Sequence, residues 1–205
     1  MRHLFPTPIV TAMLQHGAAI NAELRESILA REAQGPGQQH SNLGGWQSEP
    51  DFHVWSGTAG ERVLHAAVEL ANQHTVDRQG NSVRLTWNIG CWANVNRRSH
   101  GNEFHTHPGA FWSGVYYVED GGTSRSPDLG GEFEIQDPRG VAPVMYAPLL
   151  TVSGPAGPSM GASEMLRPRS GMMVLFPSWL QHGVRPYLGD SIRISVAFNL
   201  NLKTP

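Results

Sequence analysis

The sequence predicts a mainly β protein with flanking helices: a double-stranded β-helix, a jelly roll of the cupin-like kind, with N-terminal helices packed on one sheet. Three observations carry this. Charged residues are only 16% of the 205 while Gly (23) and Pro (15) are plentiful, which suits many turns and short strands rather than long helices. Helical periodicity is confined to the first part of the chain. From Val83 onward the pattern changes to alternation and short apolar runs bounded by turn residues. The expected organisation is one domain over residues 1–205, with a helical portion at 1–80 and a β-sandwich core at 81–205.

Taken in order, Leu4–Val10 reads as an edge strand or extended lead-in, because Pro6 and Pro8 cannot sit in a central strand. Leu14–Glu32 is the first helix, with Ile20, Leu24 and Ile28 near the helical period and Asn21 as a cap for its main portion. Residues 34–50 form a polar, glycine-rich loop carrying Trp46, read as anchoring the loop to the core, with a lid over a site as the alternative. Thr58–His74 is the second helix, with Thr58 as N-cap and Glu61 three residues on.

Val83–Asn88 alternates as a strand, and Ile89–Val95 follows as another. A polar tip at Asn96–Asn102 turns the chain into a strand carrying His105 and His107. Further strands are expected at Gly114–Val118 and Gly130–Pro138. Residues 139–168 read as an irregular insertion with one short strand near Val144–Tyr146. Gly171–Phe176 has the continuous apolar run of a buried strand, and Ser191–Asn199 alternates and closes the sheet. The total is two helices and roughly eight strands.

Bulk charge narrows the function classes. A net charge of −2 and a pI near 6.5 offer no polyanion-binding surface, so nucleic acid is not an expected partner. The single cysteine, Cys91, permits neither an internal disulfide nor a Cys cluster for zinc, and a reduced, cytoplasmic setting is expected. Met1–Pro8 lacks a signal peptide's apolar core, and no apolar run approaches the ~18 residues of a membrane span. A homodimer paired through an edge strand near Ile9 is left open.

The chemistry concentrates in two segments, Phe104-His-Thr-His-Pro-Gly109 with Ser113-Gly-Val-Tyr-Tyr-Val118, and Phe176-Pro-Ser-Trp-Leu-Gln-His182 with Arg193-Ile-Ser195 beyond. Side chains two apart on a strand share a face, so His105 and His107 can reach one metal. His182 supplies a third ligand from a distant strand, leaving positions open for substrate and oxygen. Arg193 interrupts an otherwise apolar strand face, which is costly unless something neutralises it. An internal salt bridge to Glu132 is the plain alternative. Trp112 and Trp179 flank the ligands and read as core packing, with a pocket wall as the alternative, and His40, His53 and His100 as solvated.

These pieces resemble the iron(II)- and 2-oxoglutarate-dependent oxygenases, whose motif is His-x-(Asp/Glu), a distant His, then an Arg. The likeness is to a bacterial and phage subgroup and runs from Leu4 to Leu200. It includes Phe5-Pro-Thr-Pro8, Ser41-Asn-Leu-Gly-Gly-Trp-Gln-Ser48 and Trp92-Ala-Asn-Val-Asn96 besides the two segments above. The resemblance implies Fe(II) held by His105, His107 and His182, with 2-oxoglutarate as co-substrate and O2 as oxidant. It implies Arg193 on the far carboxylate of 2-oxoglutarate, eleven residues after His182, with Ser195 and Tyr117 as hydroxyl donors. Asn94 is a further contact to co-substrate or substrate, an ordinary buried amide pair being the alternative. His107 departs from the pattern, since the family has a carboxylate there. Glu103, Asp120 and Asp137 are the alternatives for that ligand, and zinc also suits three histidines.

The implied activity is dioxygenation, with hydroxylation of a small molecule or an exposed side chain and release of succinate and CO2. The alternatives are a three-histidine metal dioxygenase that does not use 2-oxoglutarate and a non-catalytic metal- or small-molecule-binding jelly roll.

Overall fold

In a computed structural model, which describes residues 5–140, 149–150 and 163–203, the chain builds two antiparallel sheets with helices on one of them. Strand β1 (Val10–Met13) is followed by helix α1 (Gly17–Glu32), the short strands β2 (Asn42–Leu43) and β3 (Trp46–Gln47), a one-turn helix α2 (Phe52–Trp55) and helix α3 (Gly57–Gln73). Then come β4 (Trp87–Asn96), β5 (Gly101–His105), β6 (Trp112–Glu119), a 3-10 turn at Pro127–Leu129 and β7 (Phe133–Gln136). The chain ends with β8 (Ser163–Leu166), β9 (Met172–Pro177), β10 (His182–Val184) and β11 (Arg193–Leu202). One sheet runs β1-β9-β6-β11-β4-β3 and the other β2-β5-β10-β7-β8, the two-sheet arrangement of a jelly roll.

Alternation along β11 sorts the two sides of the larger sheet. Ile194, Val196, Phe198 and Leu200 are fully buried in the cluster that contains Ile20, Leu24 and Ile28 of α1 and Val63, Leu64 and Ala67 of α3. Each such side chain contributes about 1.5–3 kcal/mol relative to exposure. The intervening residues Arg193, Ser195 and Ala197 line a cavity on the opposite side. A smaller cluster of Tyr117, Phe133, Val174, Phe176 and Leu180 holds the two sheets together beside that cavity.

Several expectations shift. The first strand forms at Val10–Met13, C-terminal to both prolines, and sits at a sheet edge as expected. Helix α1 begins at Gly17 rather than Leu14, and Asn21 lies inside it, its Oδ1 accepting a hydrogen bond from the Tyr116 hydroxyl at 2.6 Å instead of capping. Ser56, not Thr58, occupies the N-cap position of α3, and no side-chain cap bond forms there. The two strands expected at Val83–Val95 are one strand starting at Trp87. The Leu85 amide and the Trp87 indole N–H both donate to the Asn72 side chain, which keeps the approach irregular. The described residues hold eleven strands rather than roughly eight, with β2, β3, β8 and α2 unanticipated. The strand expected near Val144–Tyr146 lies outside the described residues.

Candidate metal centre

Strand pairing assembles the histidines. His105 is the last residue of β5 and His182 the first of β10, and the two are direct cross-strand partners, so their rings lie 4.5 Å apart. A register shift between His182 and Val184 adds a bulge beside the pair, a common device for re-aiming a side chain. His107 lies beyond the end of β5, not on it as expected. Its backbone N–H donates to Ser178 O at 2.9 Å, and this tie to the segment preceding His182 places its ring 4.9 Å from that of His105 and 5.1 Å from that of His182. One nitrogen from each ring falls within 4.8 Å of the others.

Backbone carbonyls orient two of the rings. His105 Nδ1 sits 2.7 Å from Glu103 O and His182 Nδ1 2.8 Å from Leu180 O. A carbonyl only accepts, so Nδ1 donates in both and Nε2 keeps its lone pair. Burial, reinforced by the neighbouring rings, pushes His182 down to about 3 and His107 down to about 4. Among the described residues the cluster contains no carboxylate. Glu103 is exposed on an outer cavity wall, Asp120 Oδ1 accepts from the Gly122 amide, and the Asp137 carboxylate binds Arg139. Three imidazole nitrogens clustered at one point fit a divalent ion of borderline hardness such as Fe(II), and fit zinc as well.

The larger sheet supplies a polar row in register. Gln47 of β3 faces Asn94 of β4, Asn94 faces Ser195 of β11, and Ser195 faces Tyr117 of β6. All four line the cavity that contains the three histidines. One step along, Arg193 pairs with Asn96 and lines the same cavity. Arg193 is 6% exposed, its Nε has no hydrogen-bond partner, and among the described residues no carboxylate lies within ion-pair distance of it. Glu132, the internal partner considered from sequence, has its closest ion-pair contact with Arg167 at 4.0 Å. Desolvation pulls the Arg193 pKa down, partly opposed by nearby Tyr117, Tyr187, Asp120 and Glu132. Burial pushes the Tyr117 hydroxyl up to about 12, so it stays a proton donor.

Gln47 and Asn96 are cavity residues that sequence reasoning missed. Gln47 lies in a two-residue strand within a loop-like stretch and carried no periodic signal. An outer cavity of about 700 Å³ opens against His105 and His107 and is walled by Trp92, Gln39, Gln47 and Glu103. Trp46 packs against the core and donates its indole N–H to Gly35 O at 3.0 Å, so the anchor reading holds. Trp112 is buried and donates to Thr75, as core packing predicts. Trp179, expected in the core, is 56% exposed, because it sits in the turn between β9 and β10 rather than on either strand. His100 Nδ1 accepts from the Arg97 amide, closing the polar tip.

A family model described as "Putative 2OG-Fe(II) oxygenase" matches residues 90–199. No curated protein matches the sequence. Among solved structures, a Pseudomonas putida prolyl-4-hydroxylase superposes with a TM-score of 0.65 at 16% identity, covering 98% of this chain and 96% of its own. A Trichoplax adhaerens prolyl hydroxylase, solved with a hypoxia inducible factor peptide fragment, gives 0.65 at 14% identity over 97% and 85%. HygX from Streptomyces hygroscopicus, solved with nickel and 2-oxoglutarate, gives 0.63 at 15% identity over 96% and 83%. At these identities the structural likeness speaks for the jelly-roll fold.

Proposed function

The chain belongs to the 2OG-Fe(II) oxygenase family, and from that premise we propose that His105, His107 and His182 hold the iron while Arg193 grips the far carboxylate of 2-oxoglutarate. The observation that carries this reading is a buried guanidinium with no anionic partner among the described residues, lining the same cavity as three imidazoles. A buried charge needs a counter-charge. A dicarboxylate reaching from the histidines to Arg193 supplies it.

When bound, Fe(II) and 2-oxoglutarate supply the oxidation: 2-oxoglutarate, O2 and a substrate C–H give succinate, CO2 and an alcohol. The chain's residues do the holding. Arg193 offers a planar fork of N–H donors to the far carboxylate, and the Tyr117 and Ser195 hydroxyls donate beside it. The Asn94 and Gln47 amides flank the route between Arg193 and the histidines. Phe133 and Phe176 pack against His182 with ring centroids 5.3 and 4.5 Å away and keep water from that side of the imidazole.

The substrate enters through the outer cavity. Its walls carry amide and hydroxyl groups, the Trp92 ring and one carboxylate, Glu103, with no lysine or arginine among them. Such walls favour a neutral or cationic group, on a small molecule or an exposed side chain, over an acidic one. The same reading sets the enzyme in the reducing cytoplasm, in keeping with its lone buried cysteine. The net charge of −2 argues against nucleic acid as partner, and the edge strand β1 is where a second copy would pair. No described helix is long and apolar enough to cross a membrane.

The test is succinate release from 2-oxoglutarate with Fe(II), ascorbate and oxygen, with calorimetric titration of 2-oxoglutarate into the metal-loaded protein. Turnover and a saturable isotherm are expected. Iron binding with neither succinate nor 2-oxoglutarate binding would transfer the assignment to a three-histidine dioxygenase in which Arg193 holds the substrate's own carboxylate.

A further inference from the structure

Arg193 is held by a cage that the family motif does not contain, and we propose that Tyr187 is the positioning residue that aims its guanidinium at the co-substrate. The inference rests on the reading of Arg193 as the 2-oxoglutarate grip. Tyr187 lies between the last histidine and the arginine, in the turn that joins β10 to β11. It is fully buried, and its ring lies under the guanidinium, with Arg193 Cζ 5.9 Å from the ring centroid. That distance is within cation–π range, and burial makes the interaction count.

The ring itself is fixed from every side. Its hydroxyl donates to Gly121 O at 2.6 Å, its amide donates to His100 O at 2.9 Å, and its carbonyl accepts from Ser99 N at 2.6 Å. Two glycines complete the cage. A Cβ at Gly121 would come 2.7 Å from Arg193 Cγ and 2.7 Å from the Tyr187 hydroxyl. A Cβ at Gly131 would come 3.1 Å from Arg193 Nε and 3.2 Å from Cζ. Both glycines have positive φ, +65° and +74°, a region that side chains disfavour. The side chain of Arg193 thus passes close to both Gly121 and Gly131, with the Tyr187 ring beneath its head.

This cage answers a difficulty in the site. With no carboxylate among the described residues paired to it, an uncaged guanidinium would swing among rotamers, and the co-substrate would have to order it on binding. A carboxylate cage would fix the fork but neutralise it and compete with the ligand. An aromatic face orients the cation while leaving its charge for the incoming carboxylate.

The experiment measures 2-oxoglutarate binding to the metal-loaded protein under anaerobic conditions, with pyruvate as the second ligand. Pyruvate shares the 2-keto acid group and lacks the far carboxylate. Tyr187→Leu should raise the 2-oxoglutarate Kd roughly tenfold while leaving pyruvate and metal binding unchanged. In turnover the change should fall on KM for 2-oxoglutarate, with kcat retained at saturation. Tyr187→Phe keeps the ring face and should cost less than about threefold. Gly131→Ala puts a methyl against the guanidinium and should also weaken 2-oxoglutarate selectively, which tests the cage even where Tyr187→Leu does not fold. Equal weakening of pyruvate and 2-oxoglutarate, or no change in either, would overturn the inference. Arg193→Gln separates the two levels. If it leaves 2-oxoglutarate binding intact, the grip reading has failed. If it abolishes binding while Tyr187→Leu and Gly131→Ala do not weaken it, the positioning role alone has failed.

Discussion

The two sheets contribute to the site from opposite structural situations. The six-stranded sheet carries Arg193, Ser195, Tyr117 and Asn94 on strands up to ten residues long, and the helices pack against its other face. The five-stranded sheet carries His105 and His182 on strands of two to five residues, with His107 just off a strand end. A long, helix-backed sheet can hold a buried, unpaired cation in place, because the apolar burial behind it outweighs the cost. Short strands without helices behind them give three converging rings less support, and a bound metal would complete that half. On the proposed reading the anion grip is preformed, and the metal half is the part expected to gain order from its ligand.

Breaking the metal half should have the largest effect. His182→Ala removes a ring set between Phe133 and Phe176, and is expected to lower metal affinity more than about 100-fold and abolish succinate formation, measured by metal titration and product assay. Breaking the grip should leave the metal alone. Arg193→Gln is expected to raise the 2-oxoglutarate KM about 100-fold, in line with losing one partner of a buried charged pair, with metal affinity unchanged. A loss of metal binding in that variant would mean the halves are not separable.

Stability should divide the same way. Phe198→Ala, behind the larger sheet, is expected to destabilise by about 3–5 kcal/mol in urea unfolding, because the long strands and helices cannot close the cavity. Phe133→Ala, between short strands, is expected to cost less. Hydrogen exchange then sharpens the contrast: metal should slow the amides of β5 and β10 and leave β4 and β11 nearly unchanged. The smallest effect is chemical. Cys91 is fully buried, its thiol pushed up to about 11 by desolvation, so native protein should resist thiol reagents that label it rapidly after unfolding.

The same contrast explains what the sequence could show. Strand β11 announces itself, because Ile194, Val196, Phe198 and Leu200 alternate over a long span with Arg193 and Ser195 between. Its companion β9 is a continuous apolar run. These long elements belong to the helix-backed sheet, where burial writes a period into the chain. In the other sheet β7 shows alternation through Phe133 and Ile135 and β5 was expected from the His105 segment, but β2 and β8 are too short to carry a period, as is β3 at the edge of the larger sheet. The His105, His107 and His182 set was legible as a motif, but its closure depends on the His107–Ser178 backbone bond, which no local pattern signals. Gln47 and Tyr187 were missed for the same reason. Each lies in a turn-rich stretch and acquires its place only through long-range packing. Apparent alternation at Val83–Asn88 misled in the other direction, because the Asn72 side chain takes the Leu85 backbone N–H that a sheet would have taken.

The most direct measurement is a crystal structure of the protein grown anaerobically with Fe(II) and 2-oxoglutarate. It should show His105, His107 and His182 as the protein ligands, through Nε2 at His105 and His182, and the far carboxylate of 2-oxoglutarate on the Arg193 fork. A carboxylate from Glu103, Asp120 or Asp137 in the coordination sphere in place of His107, or a co-substrate turned away from Arg193, would contradict the account.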